Sequence, residues 1–528
     1  MIDQQPLAST KRSPLLLAGV CLVSLVYLAW LVHYAEVRRI DGDEGLYTTA
    51  ARLVWEGKTP YRDFFYQQAP LLPYLYSWIW AVHPRSLLAM RFLSAACGGI
   101  AVLLWGVCLL SVKRTSLKVA IATFVAVLLN PYWVSWNVVV KTFAVANLLM
   151  SVAAICLYAA LHSDRARWYF AGGLALGACT SVRSLYGPLI PFVLAWVLFR
   201  ERRTAKPPYR KTLALLAGAV FGLLPMIVSF VGDPHAFFFN NVRYHGLQAG
   251  YSRLMDGRIL VGYRGVGNTL GLYFYSIVLR LLGFHPYFTA EALLALLGGL
   301  SLRKLMKRRD PAYTAQDYLY FKLAFVMLVV YTATALVPFP PYDQYFVSPL
   351  VPFLVPFLTE GLRVAFLAGR RWVVLLALIA PIFFLGEPNR EALAHGPEPE
   401  WQLSSYWKVA ETVEAHSSPD EVVLSFWPGY VFESGRRYFP GLEDHMVYRI
   451  TTRIGPEARA RYHVASNDQI MHAIETRAVH LLVIGAWMKE FYGNLSPSEI
   501  AAFHAAVDAN YSLVSKIGDI EVYRRRPS

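Results

Sequence analysis

Acid is scarce in this chain: only 35 of its 528 residues are Asp or Glu, against 50 Lys and Arg, and the charged fraction is 16%. So little charge beside 56% hydrophobic residues leaves more apolar surface than a soluble domain can bury, which excludes an ordinary globular protein. Cysteine is scarce as well. The five present (Cys21, Cys97, Cys108, Cys156 and Cys179) lie in or beside apolar runs without metal-type spacing, so neither a disulfide framework nor a zinc site is indicated. The sequence has no glycine-rich phosphate loop of the nucleotide-binding type, no paired-cysteine motif and no Gly-x-Ser-x-Gly. The net charge of +15 does not mark a nucleic-acid partner. Its Lys and Arg residues fall in short connectors between apolar runs, the pattern of cytoplasmic loops in a membrane protein.

What the chain has in abundance is apolar runs. The first, 15–34, follows Lys11-Arg12, has the length of a span and lacks a small-residue cleavage site, so it reads as a retained anchor with a cytoplasmic N-terminus. Further runs near 90–112, 118–135, 143–162, 168–182, 185–199, 212–231, 287–303, 320–338, 344–360 and 372–386 predict a polytopic α-helical membrane protein of about 11–13 spans in the cell membrane. For the basic connectors to share one side, Leu71 to Val82 must not cross; it reads as an interfacial helix, and 270–282 is placed likewise. The membrane domain is then 1–386, with a first outer loop at 36–89 and a second at 232–286. Beyond Gly386-Glu387-Pro388 the chain turns polar. Residues 387–528 read as an extracytoplasmic α/β domain, with strands near 421–426 and 479–485 and helices near 404–415, 467–477 and 497–509.

The few acids are concentrated. Asp41, Asp43, Glu44 and Asp63 fall just past the first span, and Glu44 to Glu56 has helical spacing, with Leu46, Ala50, Leu53 and Val54 on one face and Gly57 as a C-terminal cap. Asp43 then has two readings: the N-cap of this helix, or a carboxylate held at the membrane surface as a general base. The late turn Pro338-Phe339-Pro340-Pro341-Tyr342-Asp343-Gln344-Tyr345 leads into a proline-rich apolar run. Trp427-Pro428-Gly429-Tyr430 with Arg436-Arg437 is either a sugar or acceptor surface or a loop packed on the membrane domain.

Asp43-Glu44 opening the helix, the turn of Gly57, Pro60, Tyr61 and Asp63, the proline-led aromatic segment from Pro70 to Trp80, and Arg91-Phe92-Leu93-Ser94-Ala95 opening the next span form one ordered pattern. It resembles the GT-C class of membrane glycosyltransferases, most of all the protein O-mannosyltransferase and lipid A aminoarabinose transferase group. The resemblance implies an inverting transferase that moves a mannose-like hexose or related sugar from a polyprenyl-phosphate carrier to a protein, lipid or polysaccharide acceptor. It implies Asp43 as base with Glu44 assisting, donor-phosphate contacts from Arg91, Arg183, Arg62, Lys141 and Tyr345, and substrate contacts from Asp63, Tyr61, Arg243 and His245. Each cation has a plainer reading as a residue snorkelling to lipid headgroups. No cofactor is indicated with certainty, and a divalent cation on Asp41, Asp43, Glu44 and Asp63 stays open without diagnostic spacing. Two departures bear on substrate: Gln68-Ala69-Pro70 stands where relatives have Lys-Pro, and Lys141 stands where many have Asp. A carrier of lipid-linked sugar and a non-catalytic assembly protein are the alternatives.

Overall fold

The computed structural model describes residues 14–111, 115–203, 209–251, 286–308, 313–338, 344–369, 401–485 and 487–527. Helix α1 (Pro14–Val37) is followed by α2 (Glu44–Trp55), α3 (Leu71–Val82) and α4 (Leu87–Ser111). Both short helices have the expected bounds, and α2 ends where Gly57, at φ +86°, turns its N–H back to Val54 O. The bundle continues with α5 (Leu117–Leu128), α6 (Pro131–Trp136), α7 (Thr142–Ser163), α8 (Ala166–Val182), α9 (Leu189–Arg202), α10 (Arg210–Gly232) and α11 (Pro234–Phe238), and then with helices Pro286–Arg308, Ala315–Ala335, Gln344–Val347 and Val351–Leu367.

Five helices among the described residues are long and apolar enough to cross a membrane: α1, α4, α7, α10 and Ala315–Ala335. Two expected spans are broken instead. The run 118–135 divides into α5 and α6 because Pro131 has no N–H to donate, and Asn130 Oδ1 accepts from Tyr132 N and Trp133 N to cap the new helix. The run 344–360 divides after Val347, at a turn beside Pro349, with Pro352 at the start of the second piece. The expected span 372–386, the interfacial segment 270–282 and the boundary at 386 lie outside the described residues.

Helices α8 and α10 approach so closely that a Cβ on Gly173, Gly177, Gly218 or Gly222 would lie 2.0–2.3 Å from a backbone oxygen of the partner helix. Four-residue glycine spacing on both helices makes this contact possible, as it does between membrane helices generally.

The polar tail contains one five-stranded sheet, β1 (Val422–Ser425), β2 (Arg437–Tyr438), β3 (Leu481–Ile484), β4 (Tyr511–Ile517) and β5 (Ile520–Arg525), in the order β2-β1-β3-β5-β4. β1 is parallel to β2 and β3, and β5 is antiparallel to β3 and β4. Helices Leu403–Ala415, Asn467–Glu475 and Pro497–Asn510 stand where helical spacing places them. The β4–β5 hairpin escapes sequence reading because its faces do not alternate cleanly: β4 carries an exposed Leu513 and a bulge between Leu513 and Ser515.

The tail sits on α2. Arg52 Nη1 donates to Arg436 O at 2.8 Å, Thr49 Oγ1 meets Tyr438 Oη at 3.2 Å, and Trp427 Nε1 donates to Gly42 O at 2.8 Å. Trp427 is 1% exposed and Arg436 is tied to Ser417, Ser434 and Glu414, so this loop packs rather than presenting a surface. Gly45 is what lets Trp427 in: a Cβ there would lie 2.6 Å from Trp427 Nε1 and 2.9 Å from Gly429 N. Gly45→Ala is therefore expected to cost about 1–3 kcal/mol through overpacking and to lower Tm in detergent, read by tryptophan fluorescence. A Tm equal to wild type would show that the seam is not closed there.

Candidate active site

Four chain segments meet at one end of the bundle: the loop after α1, the start of α4, the start of α7 and the end of α8. Glu44 and Arg91 form its floor. Arg91 Nε donates to Glu44 Oε1 at 2.8 Å and Nη2 to Oε2 at 2.5 Å, while Nη1 reaches Ala35 O and Arg38 O and Nη2 also reaches Arg39 O. All five guanidinium donors are used, and both side chains are 0% exposed. Glu44 is equally committed, its oxygens also accepting from Val140 N and Asp41 N. This geometry spends Arg91, expected at the donor phosphate, and Glu44, expected to assist Asp43, on each other and on the backbone. Together they are a buried strut that pins the loop to α1 and α4.

Above the strut, Lys141 Nζ lies 2.8 Å from Asp41 Oδ1 and 2.9 Å from Asp43 Oδ2, and also donates to Gln344 Oε1 at 3.2 Å. Asp43 does not cap α2: its side chain makes no capping hydrogen bond. The turn is closed instead by Asp41, whose Oδ1 accepts from Asp43 N at 3.0 Å. Burial raises the Asp41 carboxyl pKa, but the Lys141 and Arg38 charges and the bond from Lys141 outweigh it and hold the group below its ordinary value. Asp43 is the most exposed of the three carboxylates, at 26% against 17% for Asp41 and 0% for Glu44. The ammonium stands between Asp41 and Asp43 where a divalent cation would sit, and among the described residues no three metal-binding side chains cluster. This donor set does not fit a resident metal.

Helices α7 and α8 bring the second cation alongside. Arg183 Nη1 donates to Thr142 Oγ1 at 2.8 Å, and its guanidinium lies 4.6 Å from both the Phe143 and Tyr345 ring centroids. Arg183 Nε is buried with no partner among the described residues. Tyr47, one turn along α2 from Asp43, lies within the fields of Asp43, Arg183, Tyr345 and Asp41, and its phenol is pushed well above its ordinary value, chiefly by burial. Sequence reading passed over Tyr47; its four-residue offset from Asp43 was the available signal.

The remaining expected residues lie outside this cluster, with His245 near enough to feel the Arg183 charge. Tyr61, at φ +71°, is buried and donates from Oη to Gln68 O. Asp63 accepts from Thr59 N and pairs with the exposed Arg62. Asp63 also lines a cavity of about 700 Å³, with Arg52, Glu56, Lys58, Arg437 and His463, at the far end of α2 from Asp43. Arg243 is exposed on the turn Phe239–Arg243. His245 Nε2 approaches Gln67 O at 3.1 Å, and burial holds its pKa below the ordinary value. Of the expected set, the fold gathers Asp43, Lys141, Arg183 and Tyr345.

Residues 67–229 match the family model described as dolichyl-phosphate-mannose-protein mannosyltransferase. ArnT from Cupriavidus metallidurans in the apo state superposes with TM-score 0.60 at 14% identity, over 97% of this chain and 99% of that one. The same protein bound to undecaprenyl phosphate gives 0.59 at 13%, over 97% and 98%. This chain has the GT-C fold. The oligosaccharyltransferase of Archaeoglobus fulgidus, crystallised with Zn and sulfate, shares it more distantly, with TM-score 0.51 at 14% identity over 97% of this chain and 73% of that one. No curated protein matches. Five apolar helices of spanning length among the described residues, within this fold, make it a multi-pass membrane protein, with Asp43 at the membrane domain's seam with the tail.

That seam carries further polar groups which sequence reading did not assign. Asp444, 2% exposed, uses Oδ1 to accept from Met446 N, and burial with the neighbouring Asp43 charge pushes its carboxyl from 3.8 up to about 8. Over that interval the folded protein holds a proton that the unfolded chain has released. Stability from this group is therefore complete below 3.8 and is lost as pH rises toward 8. Asp444→Asn is expected to flatten the fall in Tm between about pH 5 and 8; an unchanged slope would assign the pH dependence to other groups.

Proposed function

We propose that this protein is an inverting glycosyltransferase that takes a sugar from a polyprenyl-phosphate carrier on the extracytoplasmic side, with its N-terminus cytoplasmic and its tail outside. The observation that carries the reading is that a partly exposed carboxylate, Asp43, and a guanidinium whose buried Nε has no partner among the described residues, Arg183, both act on Tyr47 at the end of the bundle against which the tail packs. Asp43 accepts the proton of the acceptor O–H as its oxygen attacks C1 of the sugar. The C1–O bond to phosphate breaks on the opposite face, and the polyprenyl phosphate leaves as an anion. Arg183 and Tyr345 meet that developing charge, where a preorganised donor is worth most. Lys141 orients both Asp41 and Asp43. A hexose such as mannose is the donor sugar, and the acceptor is a protein, lipid or polysaccharide.

The test is sugar transfer by purified protein from a panel of polyprenyl-phosphate sugars to a panel of hydroxyl acceptors. Product with inverted anomeric configuration is expected from at least one pair. Carrier crossing vesicles with no sugar transferred would replace this reading with that of a transporter.

A further inference from the structure

Three polar side chains of the tail near the loop 41–43 carry buried polar atoms that have no hydrogen-bond partner among the described residues. His445 is 1% exposed, and neither ring nitrogen has a hydrogen-bond partner among the described residues. The same holds for Asp444 Oδ2 and Trp487 Nε1. A buried polar group left unpaired costs roughly 1–3 kcal/mol, so three within two contacting segments are retained against stability. The segments do touch each other and the loop. The His445 and Trp487 rings lie 4.1 Å apart, and Trp487 packs on Gly42 so closely that a Cβ there would fall 2.9 Å from its ring. Trp487 holds this position at φ +71°, a conformation costly for a bulky side chain. Fields from Asp43 on Asp444, and from Asp41 and Lys141 on His445, place both beside the carboxylate cluster.

Resting on the transferase reading above, we infer that Asp444, His445 and Trp487 form the subsite for the saccharide hydroxyls at this centre, contributed by the tail rather than by the membrane domain. The chemistry suits a polyol. His445 offers one donor and one acceptor, because burial, then the Arg449 charge, hold it neutral. Trp487 adds a donor, and Asp444 keeps its proton at neutral pH and can donate from Oδ2. The bare phosphate of the carrier can accept from such donors but offers no hydroxyl to donate to the second His445 nitrogen and brings negative charge toward Asp43, whereas a sugar-bearing carrier or a saccharide acceptor supplies neutral hydroxyls that both donate and accept.

The experiment measures affinity of the full-length protein for bare polyprenyl phosphate and for the same carrier bearing each of a panel of hexoses, alongside acceptor KM. Wild type is expected to bind the best sugar-bearing carrier about tenfold more tightly than the bare one. Asp444→Asn, which keeps the Oδ1 acceptor of the turn, and His445→Gln are each expected to close that gap about fivefold with bare-carrier affinity unchanged. If the carrier gap persists in both variants while acceptor KM rises by that factor, the subsite holds a saccharide acceptor instead of the donor sugar. A gap and KM both equal to wild type in both variants overturn the inference and leave the transferase reading standing. So does a wild type that binds bare and sugar-bearing carriers equally and has a KM that neither variant moves. Wild type binding no carrier at all overturns the transferase reading and this inference with it.

Discussion

Asp43→Asn is expected to lower sugar transfer by about 10²–10⁴-fold in kcat, with donor affinity and Tm unchanged. The substitution keeps the shape of the side chain and removes its capacity to take a proton. Lys141 retains Asp41 as its partner at 2.8 Å, so the ammonium is not stranded. Because the Asp43 side chain makes no capping hydrogen bond to α2, no helix stability is at stake. An N-cap would show the converse, a loss of about 1 kcal/mol with catalysis preserved. Single-turnover transfer with donor binding measured in parallel separates the two. A variant that transfers as fast as wild type would remove Asp43 from the mechanism.

Arg91→Ala is expected to cost about 3–5 kcal/mol and to yield little folded, monodisperse protein, because it leaves the Glu44 carboxylate charged and dry. Arg91→Lys should rescue poorly, since a single ammonium cannot replace a bidentate pair plus bonds to three carbonyls. Arg183→Ala gives the contrasting result: folded protein whose affinity for bare polyprenyl phosphate falls about tenfold, the loss of one charge-assisted contact. Size-exclusion profiles with carrier binding distinguish the pair. Well-folded Arg91→Ala protein with weakened carrier binding would return Arg91 to the phosphate.

The GT-C reading rested on signals that survive in one dimension. Apolar run length gave the bundle, and turn residues gave α2 and α3 at their observed limits. Where local chemistry overrode hydropathy, the runs broke, at Asn130-Pro131 and after Val347. The catalytic candidate Asp43 was visible because acid is rare and lies beside the first span. The unpaired set of Asp444, His445 and Trp487 was invisible, since nothing in the spacing of 444–445 and 487 marks them as facing a loop some 400 residues earlier.

Composition, periodicity and the clustering of scarce acid determined by themselves that this is a polytopic helical protein with a polar α/β tail and a cluster of carboxylates after its first span. Only the tertiary structure decided which charged residues serve that site and which serve the fold. Arg91 and Arg183 both stand at helix ends near the same surface, and sequence ranks them alike. What separates them is the company each keeps: Arg91 meets a carboxylate 47 positions away together with three backbone carbonyls, whereas Arg183 lies between two aromatic rings, its Nε without a partner among the described residues. The free energy of a buried charge depends on its partners, and partners brought together across such separations exist only once the chain is folded.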